Sequence, residues 1–125
     1  MNIRIDNQLK ISFVDIGTAT DTSALKKSVT ALLAHPDHVD KMDSIFDLSN
    51  AEFNTVNQSD MQEYAHWLAP FIPRIAERTA IVAKRDLEFG LARMWMVHSD
   101  GVATQQRNVF RNIESAIKWL IDERK

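Results

Sequence analysis

The sequence predicts an α/β domain with a mixed, mostly parallel sheet of four or five strands and helices packed on the sheet. Three observations predict this fold. Short segments show apolar residues with a period of two, and longer segments of about twelve residues show a period near 3.6. The two kinds of segment follow the order ββαβαβαβα. Strands separated by helices imply crossover connections, which join parallel strands, and the two leading strands imply an antiparallel edge hairpin.

The composition predicts a single domain over residues 1–125 with its own apolar core. There is no cysteine, which excludes disulfides and thiolate chemistry, and three glycines are too few for a Gly-rich phosphate loop. The net charge of −2 provides no basic field for nucleic acid. The charged N-terminus and the lack of a long apolar stretch predict a cytoplasmic protein that can lie at the inner face of the membrane.

The first elements are a hairpin and a helix. Ile3 and Ile5 alternate with polar residues, Asp6-Asn7 signals a turn, and a second alternating stretch follows. Thr20 or Asp21 can then cap a helix over residues 22–34. The apolar stripe of this helix comprises Leu25, Val29, Leu32 and Leu33.

The second helix follows a strand over 42–48. Ser59 and Gln62 match a capping box, with Ser59 as the N-cap. Pro70 and Pro73 predict a broken or kinked end, because proline lacks an N–H and clashes with the preceding turn. The inward face comprises Met61, Tyr64, Ala65, Leu68, Phe71 and Ile72.

The last elements alternate regularly. A short apolar run at 79–83 predicts a central buried strand, and Asp86 can cap a helix that ends near His98. A strand within 102–110 and a helix capped by Asn112 complete the fold. The inward residues of that helix are Ile113, Ala116, Ile117 and Leu120.

Two C-terminal segments, Thr79–Met94 and Asn108–Leu120, resemble the bacterial SpoIIAA-like (STAS/Sec14-like) domain family. The resemblance implies a mixed sheet of four to five strands covered by helices. It also implies a fold-level relationship to two groups of proteins that differ in function. Anti-sigma-factor antagonists bind kinases and are switched by serine phosphorylation, whereas Sec14-like domains hold an apolar ligand under a movable helix. The motifs that carry the resemblance are Phe89-Gly90, Arg93-Met94, Phe110, Ala116 and Trp119-Leu120.

The phosphoserine switch of the antagonists has no counterpart at the matching position. Asp47-Leu48-Ser49 matches the end of the antagonist strand, but the switch serine falls at about Val56, which has no hydroxyl. The resemblance therefore implies a protein-interaction module without its switch as the alternative function.

Several polar groups have a structural explanation that competes with a functional one. His35 and His38 stand in a proline turn that does not fix ligand directions, so a solvated loop is expected and no metal site. Glu63 and His66 are expected to form an exposed pair one helical turn apart. No nucleophile elbow and no framed pair of carboxylates is present, so no catalytic residue and no cofactor is predicted, and an enzyme is not favoured.

Basic residues near the third helix are the remaining polar candidates. Lys84-Arg85 precede its N-terminus and could bind phosphate, although Asp86 competes for the same amides. Arg93 is a candidate ligand-binding residue or an ordinary surface arginine. Gly90 costs about 1 kcal/mol relative to alanine in a helix interior. Close packing of the helix on the sheet is the favoured reason, and room for a ligand or a hinge is the alternative.

The third helix carries apolar residues on two sides. Leu87, Leu91, Met94 and Val97 are expected to face the sheet, with Trp95 widening that face. Phe89, Ala92 and Met96 lie opposite, where a surface helix should be polar. The outer side is therefore expected to be covered by the second helix, a ligand or another subunit.

The second helix shows a related excess in the nearly uncharged run 66–73. We hypothesise an apolar groove between helices about 60–75 and 86–98, with the former as a lid for an apolar or lipid-like ligand or as a contact with a membrane. The alternatives are that the helices only pack on each other or that the surface forms a homodimer. The predicted binding residues are Trp67, Leu68, Phe71, Phe89, Arg93, Trp95 and Met96.

Overall fold

The computed structural model describes residues 1–99 and 106–124, with side chains for 1–96 and 106–124. In this part of the chain the sheet has five strands, whose order across the sheet is their order in sequence. The first pair is antiparallel and the other three pairs are parallel, so the predicted element order and edge hairpin are confirmed. The strands are β1 (Asn2–Asp6), β2 (Ile11–Asp15), β3 (Asp43–Asp47), β4 (Arg78–Val82) and β5 (Gln106–Phe110). The predicted strand positions 102–105 lie outside the described residues.

Helices follow each parallel strand. A 3-10 turn at Ala69–Phe71 separates the second and third helices, which confirms the predicted break at the two prolines. The helices are α1 (Thr22–Ala34), α2 (Gln58–Leu68), α3 (Ile72–Ile75), α4 (Asp86–Ser99) and α5 (Ile113–Glu123).

The sheet has an apolar core on each face. The larger core lies under α1, α2 and α4, where the strands contribute Val14, Phe46, Ile81 and Val109. The smaller core lies under α5 alone, where Ile45 and its neighbours pack against the helix. Crossovers of one hand between parallel strands in sequential order place their helices on one face of the sheet, which explains the grouping of α1, α2 and α4.

On the face of the sheet that α5 packs against, none of the described helices covers the edge formed by the β1–β2 hairpin. Arg4 and Phe13 are cross-strand partners on that face, and the Arg4 guanidinium carbon lies 4.1 Å from the centre of the Phe13 ring. A cation over an aromatic face shields part of the ring from water. The polar residues of β1 are therefore compatible with the solvent-exposed part of this face of the sheet.

Two helix starts differ from the sequence prediction. Asp21 caps α1 as expected, accepting a hydrogen bond from the Ser23 amide. The N-cap of α2 is Asn57 and not Ser59, because Asn57 and Asp60 form a reciprocal capping box. Asp86 lies inside the first turn of α4 and not at the cap, since the Phe89 amide donates to the Arg85 carbonyl. Asn112 caps α5 as predicted.

None of the helices in the described part of the chain is both long enough and apolar enough to cross a bilayer.

Candidate functional site

An apolar cavity with a volume of about 40 Å³ lies in the larger core, between the sheet and α1, α2 and α4. Every residue that lines it is buried. The helices contribute Leu25, Val29, Met61, Tyr64, Leu68, Ile75, Leu91, Ala92 and Trp95. The sheet and the segment after β3 contribute Phe46, Leu48, Phe53, Thr79 and Ile81.

The cavity wall has two hydroxyl groups. The Thr79 hydroxyl lies 3.3 Å from the Ser44 hydroxyl on the neighbouring strand, within hydrogen-bond distance. The Tyr64 side chain is only 5% exposed, and burial raises the pKa of its phenol well above the ordinary value. Tyr64 therefore stays neutral at physiological pH and keeps a proton to donate.

Four aromatic side chains form a continuous series from the cavity wall toward the surface. The ring of Trp95 on α4 lies 6.4 Å from that of Tyr64 on α2, which joins the two helices. Tyr64 stacks on Trp67 at 6.1 Å, and Trp67 lies 5.0 Å from Phe71 in the 3-10 turn. Aromatic pairs at these separations attract one another beyond their buried area.

The α2 side of the cavity ends in the proline-flanked turn. Leu68 lines the cavity at the last position of α2, and Ile75 lines it at the last position of α3. Pro70 and Pro73 stand between them, where they interrupt the backbone hydrogen bonds of a continuous helix. This wall is consequently built from short helical pieces rather than from one rigid rod.

The inward face of α4 differs from the predicted one. Glu88, Leu91, Ala92 and Trp95 are buried, whereas Leu87 is 41% exposed. Ala92, expected on the outer side, lines the cavity. The prediction is confirmed for Leu91 and Trp95 and wrong for Leu87 and Ala92, because the buried stripe of α4 takes in a glutamate that residue type assigns to solvent. The Val97 side chain, also expected to face the sheet, lies outside the described residues.

Phe89 and Met96 were expected on an outer apolar side of α4, but their side chains are not fully exposed. Both are half-buried and pack against the larger core. Phe89 is also covered by cations, since the guanidinium carbon of Arg111 lies 4.0 Å from its ring centre and that of Arg93 lies 6.0 Å away. Most of the predicted apolar surplus is therefore covered by this chain itself.

Glu88 is a structural feature of the cavity wall that the sequence did not predict. It is 1% exposed, and its Oε2 accepts a hydrogen bond of 2.9 Å from the Phe53 amide. Arg85 Nε lies 3.0 Å from Oε1 as an ion pair, although it is not aligned for a hydrogen bond. Because Phe53 lines the cavity, Glu88 holds one segment of its wall in place. No local sequence signal marks a first-turn glutamate as buried.

Of the two residues expected to suit a phosphate, Lys84 has an exposed side chain, whereas Arg85 and the nearby Arg111 contact other groups of the chain. Arg85 donates to the Asn54 side chain at 2.8 Å in addition to pairing with Glu88. Arg111 donates to the Lys84 carbonyl at 2.9 Å and pairs with Asp86 at 3.0 Å. These intramolecular contacts give Arg85 and Arg111 structural roles at the carboxyl end of the sheet.

The two histidine features also have structural partners. His38 Nε2 lies 3.1 Å from Asp40 Oδ1 and 3.0 Å from the Arg74 carbonyl, so His38 ties its loop to α3. Glu63 does not pair with His66 as expected but with Lys26 on α1, at 2.9 Å. Within the described ranges, no group of three histidine or acidic residues is placed to hold a metal ion.

Gly90 is not explained by close packing, which corrects the sequence interpretation. It is exposed, and a Cβ atom built at this position would meet nothing within 4 Å.

The seven predicted binding residues are not brought together at one surface. Leu68 and Trp95 line the cavity, whereas Trp67 and Phe71 lie beyond them in the aromatic series. Phe89 and Met96 pack at the edge of the core, and Arg93 is exposed. The contributions of α1 and the sheet to the cavity were missed, because hydrophobic periodicity marks core residues without showing where their packing is incomplete.

No family model, no curated protein and no solved structure matches the chain.

Proposed function

We propose that this domain is a non-catalytic binding module that takes a small apolar molecule into the cavity between the sheet, α2 and α4. The observation that carries the proposal is the apolar cavity itself, whose wall includes Tyr64, Leu68 and Trp95. Ligand sites are typically concave, mostly apolar and furnished with few polar groups. This cavity has those properties, since the residues that line it are almost all apolar and none of them is charged.

An unfilled cavity has an energetic cost. Protein interiors pack to the density of organic crystals, and a void of this size lowers stability by about 1 kcal/mol. A bound apolar molecule would recover that loss and stabilise the folded state by mass action. Ligand binding would therefore offset the energetic cost of the cavity.

The size of the cavity limits what it holds without rearrangement. An apolar cavity of about 150 Å³ holds benzene, so one of about 40 Å³ admits a xenon atom or a fragment of a few carbon atoms. A longer or lipid-like ligand requires α2, the 3-10 turn and α3 to move outward. The breaks at Pro70 and Pro73 provide the positions at which that segment can bend.

Membership of the SpoIIAA-like family is part of this proposal, since a ligand under a movable helix is what the Sec14-like resemblance implies. A cytoplasmic location with peripheral contact at the inner membrane face belongs to it as well. The alternative, an interaction module or homodimer, has less support, because the large exposed apolar side chains among the described residues are Met1, Val39 and Leu87, from three separate segments.

The proposal is tested by titrating delipidated protein with xenon and with n-hexane while following methyl resonances by NMR. We expect saturable shifts at Leu25, Val29, Leu68 and Leu91, with no comparable shifts on the α5 face. Unchanged cavity methyl groups up to the solubility limit of both probes would overturn the proposal.

A matched pair of variants separates cavity binding from surface partitioning. Ala92→Leu fills the cavity and should abolish the response to both probes, because Ala92 is part of its wall. Ala34→Leu makes the same change at the exposed last position of α1 and should leave the response intact. Equal binding to both variants would place the probes elsewhere.

A further inference from the structure

We infer that the outer face of α4 binds a second copy of this chain, in a weak dimer with two-fold symmetry. The inference goes beyond ligand binding and does not depend on it, because this face points away from the residues of α4 that line the cavity. Three features of the face carry the inference. They are a glycine that the fold of the single chain does not require, two opposite charges on either side of that glycine, and an exposed leucine.

The outer face of α4 is formed by Asp86, Gly90 and Arg93, which follow one another at intervals of one helical turn. All three residues are exposed. Successive residues of a helix are rotated by about 100°, which places this face opposite the buried Glu88 and Trp95. At these three positions the helix is therefore open to contact from outside the chain.

Gly90 lies at the centre of this face. Glycine lowers the stability of a helix interior relative to alanine. A Cβ atom built at Gly90 would meet nothing within 4 Å, so the packing of the single chain does not exclude a larger residue. Glycine does allow another backbone to approach closely. A helix of a second copy can use that space.

The charges on either side of Gly90 are opposite in sign. The side chain of Asp86 is 99% exposed, and its Oδ1 atom lies 3.0 Å from Arg111. Arg93 has its guanidinium carbon 6.0 Å from the centre of the Phe89 ring. Among the described side chains, no carboxylate lies within ion-pair distance of Arg93. The face therefore offers a carboxylate at one end and an uncompensated guanidinium at the other.

This arrangement of charges is complementary to itself. A two-fold axis makes the same patch of both copies meet, and it runs the two helices in opposite directions. At a rise of about 1.5 Å per residue, Asp86 lies about 6 Å from Gly90 along the helix, and Arg93 lies about 4.5 Å away on the other side. An axis near Gly90 consequently brings Asp86 of each copy beside Arg93 of the other. The symmetric contact contains two such ion pairs.

Leu87 adds an apolar contact on one flank of the face. It is 41% exposed and is one of three exposed large apolar residues in the described part of the chain. Met94 is half-buried and lies two helical turns further along the same flank. The same two-fold axis places Leu87 of each copy near Met94 of the other, which removes apolar surface from water.

The size of the contact predicts a low affinity. One pair of helices of this length buries less than the standard interface of about 1,600 Å². The contact is also more polar than an apolar dimer interface, so its specificity comes from charge and from the close approach at Gly90. We therefore expect a dimer that forms only at high protein concentration and weakens as salt is added.

The experiment measures self-association of the full chain by sedimentation equilibrium, from micromolar to millimolar concentration at low ionic strength. Asp86→Arg and Arg93→Asp are compared with the wild type. Each substitution turns both ion pairs of the symmetric dimer into repulsive contacts, so each should raise the dissociation constant at least about 10-fold. Circular dichroism confirms that the variants are folded.

The decisive sample is an equimolar mixture of Asp86→Arg and Arg93→Asp. In a mixed dimer the arginine introduced at position 86 faces the aspartate introduced at position 93, and the native Arg93 faces the native Asp86. The mixture should therefore dimerise with an affinity close to that of the wild type, although neither variant does so alone. Recovery of this kind requires the two positions to meet across the interface.

Two sets of controls separate this contact from general effects of charge. Glu114→Arg and Lys118→Asp reverse exposed charges on α5, and they should leave the dissociation constant unchanged. Gly90→Gln keeps the charge of the face and favours the helix, but its side chain blocks the close approach. It should weaken dimerisation at least about 10-fold without unfolding the protein.

Three results would overturn the inference. The first is a wild-type protein that stays monomeric up to millimolar concentration. The second is a dimer that neither charge reversal weakens, because self-association would then use another surface. The third is a mixture that stays monomeric although each variant has lost the dimer, because the two positions would then not face each other. None of these results bears on ligand binding in the cavity, which the methyl NMR titration tests separately.

Discussion

Arg124 donates two hydrogen bonds to one carboxylate oxygen of Asp43, at 3.0 Å from Nε and 2.9 Å from Nη2. Asp43 begins β3 and is 5% exposed, whereas Arg124 caps the end of α5. The same guanidinium donates to the carbonyls of Leu9 and Lys10 in the hairpin turn. One side chain thus joins the last helix, a central strand and the edge hairpin.

Arg124→Ala is expected to lower the free energy of unfolding by about 1–3 kcal/mol, because it leaves a buried carboxylate with only Arg78 at 3.9 Å. Urea unfolding monitored by circular dichroism measures the change. Lys118→Ala, an exposed substitution on the same helix, should change it by less than about 0.5 kcal/mol. Equal effects of the two substitutions would contradict a specific role for Arg124.

Glu88→Ala is expected to lower the free energy of unfolding by about 2–4 kcal/mol, since it leaves the buried Phe53 amide without an acceptor and creates a void. Glu88→Gln should cost less, because the amide oxygen can still accept that hydrogen bond. Chemical denaturation of both variants tests the order. A glutamine variant as unstable as the alanine variant would assign the main role to the Arg85 ion pair instead.

Gly90→Ala is expected to raise the free energy of unfolding by about 0.5–1 kcal/mol, because alanine favours a helix interior and the added methyl group meets no neighbour. Gly17→Ala is the matched control, and it is expected to lower the free energy of unfolding. Gly17 has a φ of +72°, and its added Cβ would lie 3.3 Å from the Met1 nitrogen. Thermal unfolding of both variants checks the prediction, and a destabilised Gly90→Ala protein would show that this glycine has another structural role.

The N-cap of α1 should make stability depend on pH in the acid range. The Ser23 hydroxyl donates to Asp21 and, together with backbone amides, lowers the pKa of that carboxyl below its ordinary value of 3.8. A lowered pKa contributes stability that is present above the unfolded-state value and lost as pH falls through the folded-state value.

Asp21→Asn keeps an amide cap that does not titrate. The unfolding temperature of the wild type relative to this variant should therefore be highest above about pH 4 and decline as the solution becomes more acidic. Parallel thermal unfolding curves across this range provide the measurement. A difference that does not vary with pH would contradict a stabilising charge at the cap.

The sequence was sufficient for the element order, because hydrophobic period and turn residues are local signals. The hairpin, the break near Pro70 and the Asn112 cap all follow from such signals. The Asn57 cap was missed because Ser59 and Gln62 offered an equally good local match two residues later. Only the backbone geometry decides between two such overlapping motifs.

Interactions between elements could not be predicted from local signals. The pairing of Glu63 with Lys26 requires the packing of α2 beside α1, and a charged residue such as Glu88 is assigned to solvent by any scale based on residue type. The cavity could not be predicted for the same reason, because its position depends on how side chains from four helices and the sheet fail to fill one space.

Tyr64 is the sole tyrosine of the chain, and its ring lies within 6.4 Å of two tryptophans, Trp67 on its own helix and Trp95 on α4. Excitation energy absorbed by the phenol should therefore pass to the indoles, and the folded protein should emit almost entirely as tryptophan. An outward movement of α2 would carry Trp67 along with Tyr64, so this transfer would persist, whereas the buried Trp95 would lose its contact with Tyr64 and change its own emission. The molecule thus carries its own optical reporter of whether the space between these helices is open or closed.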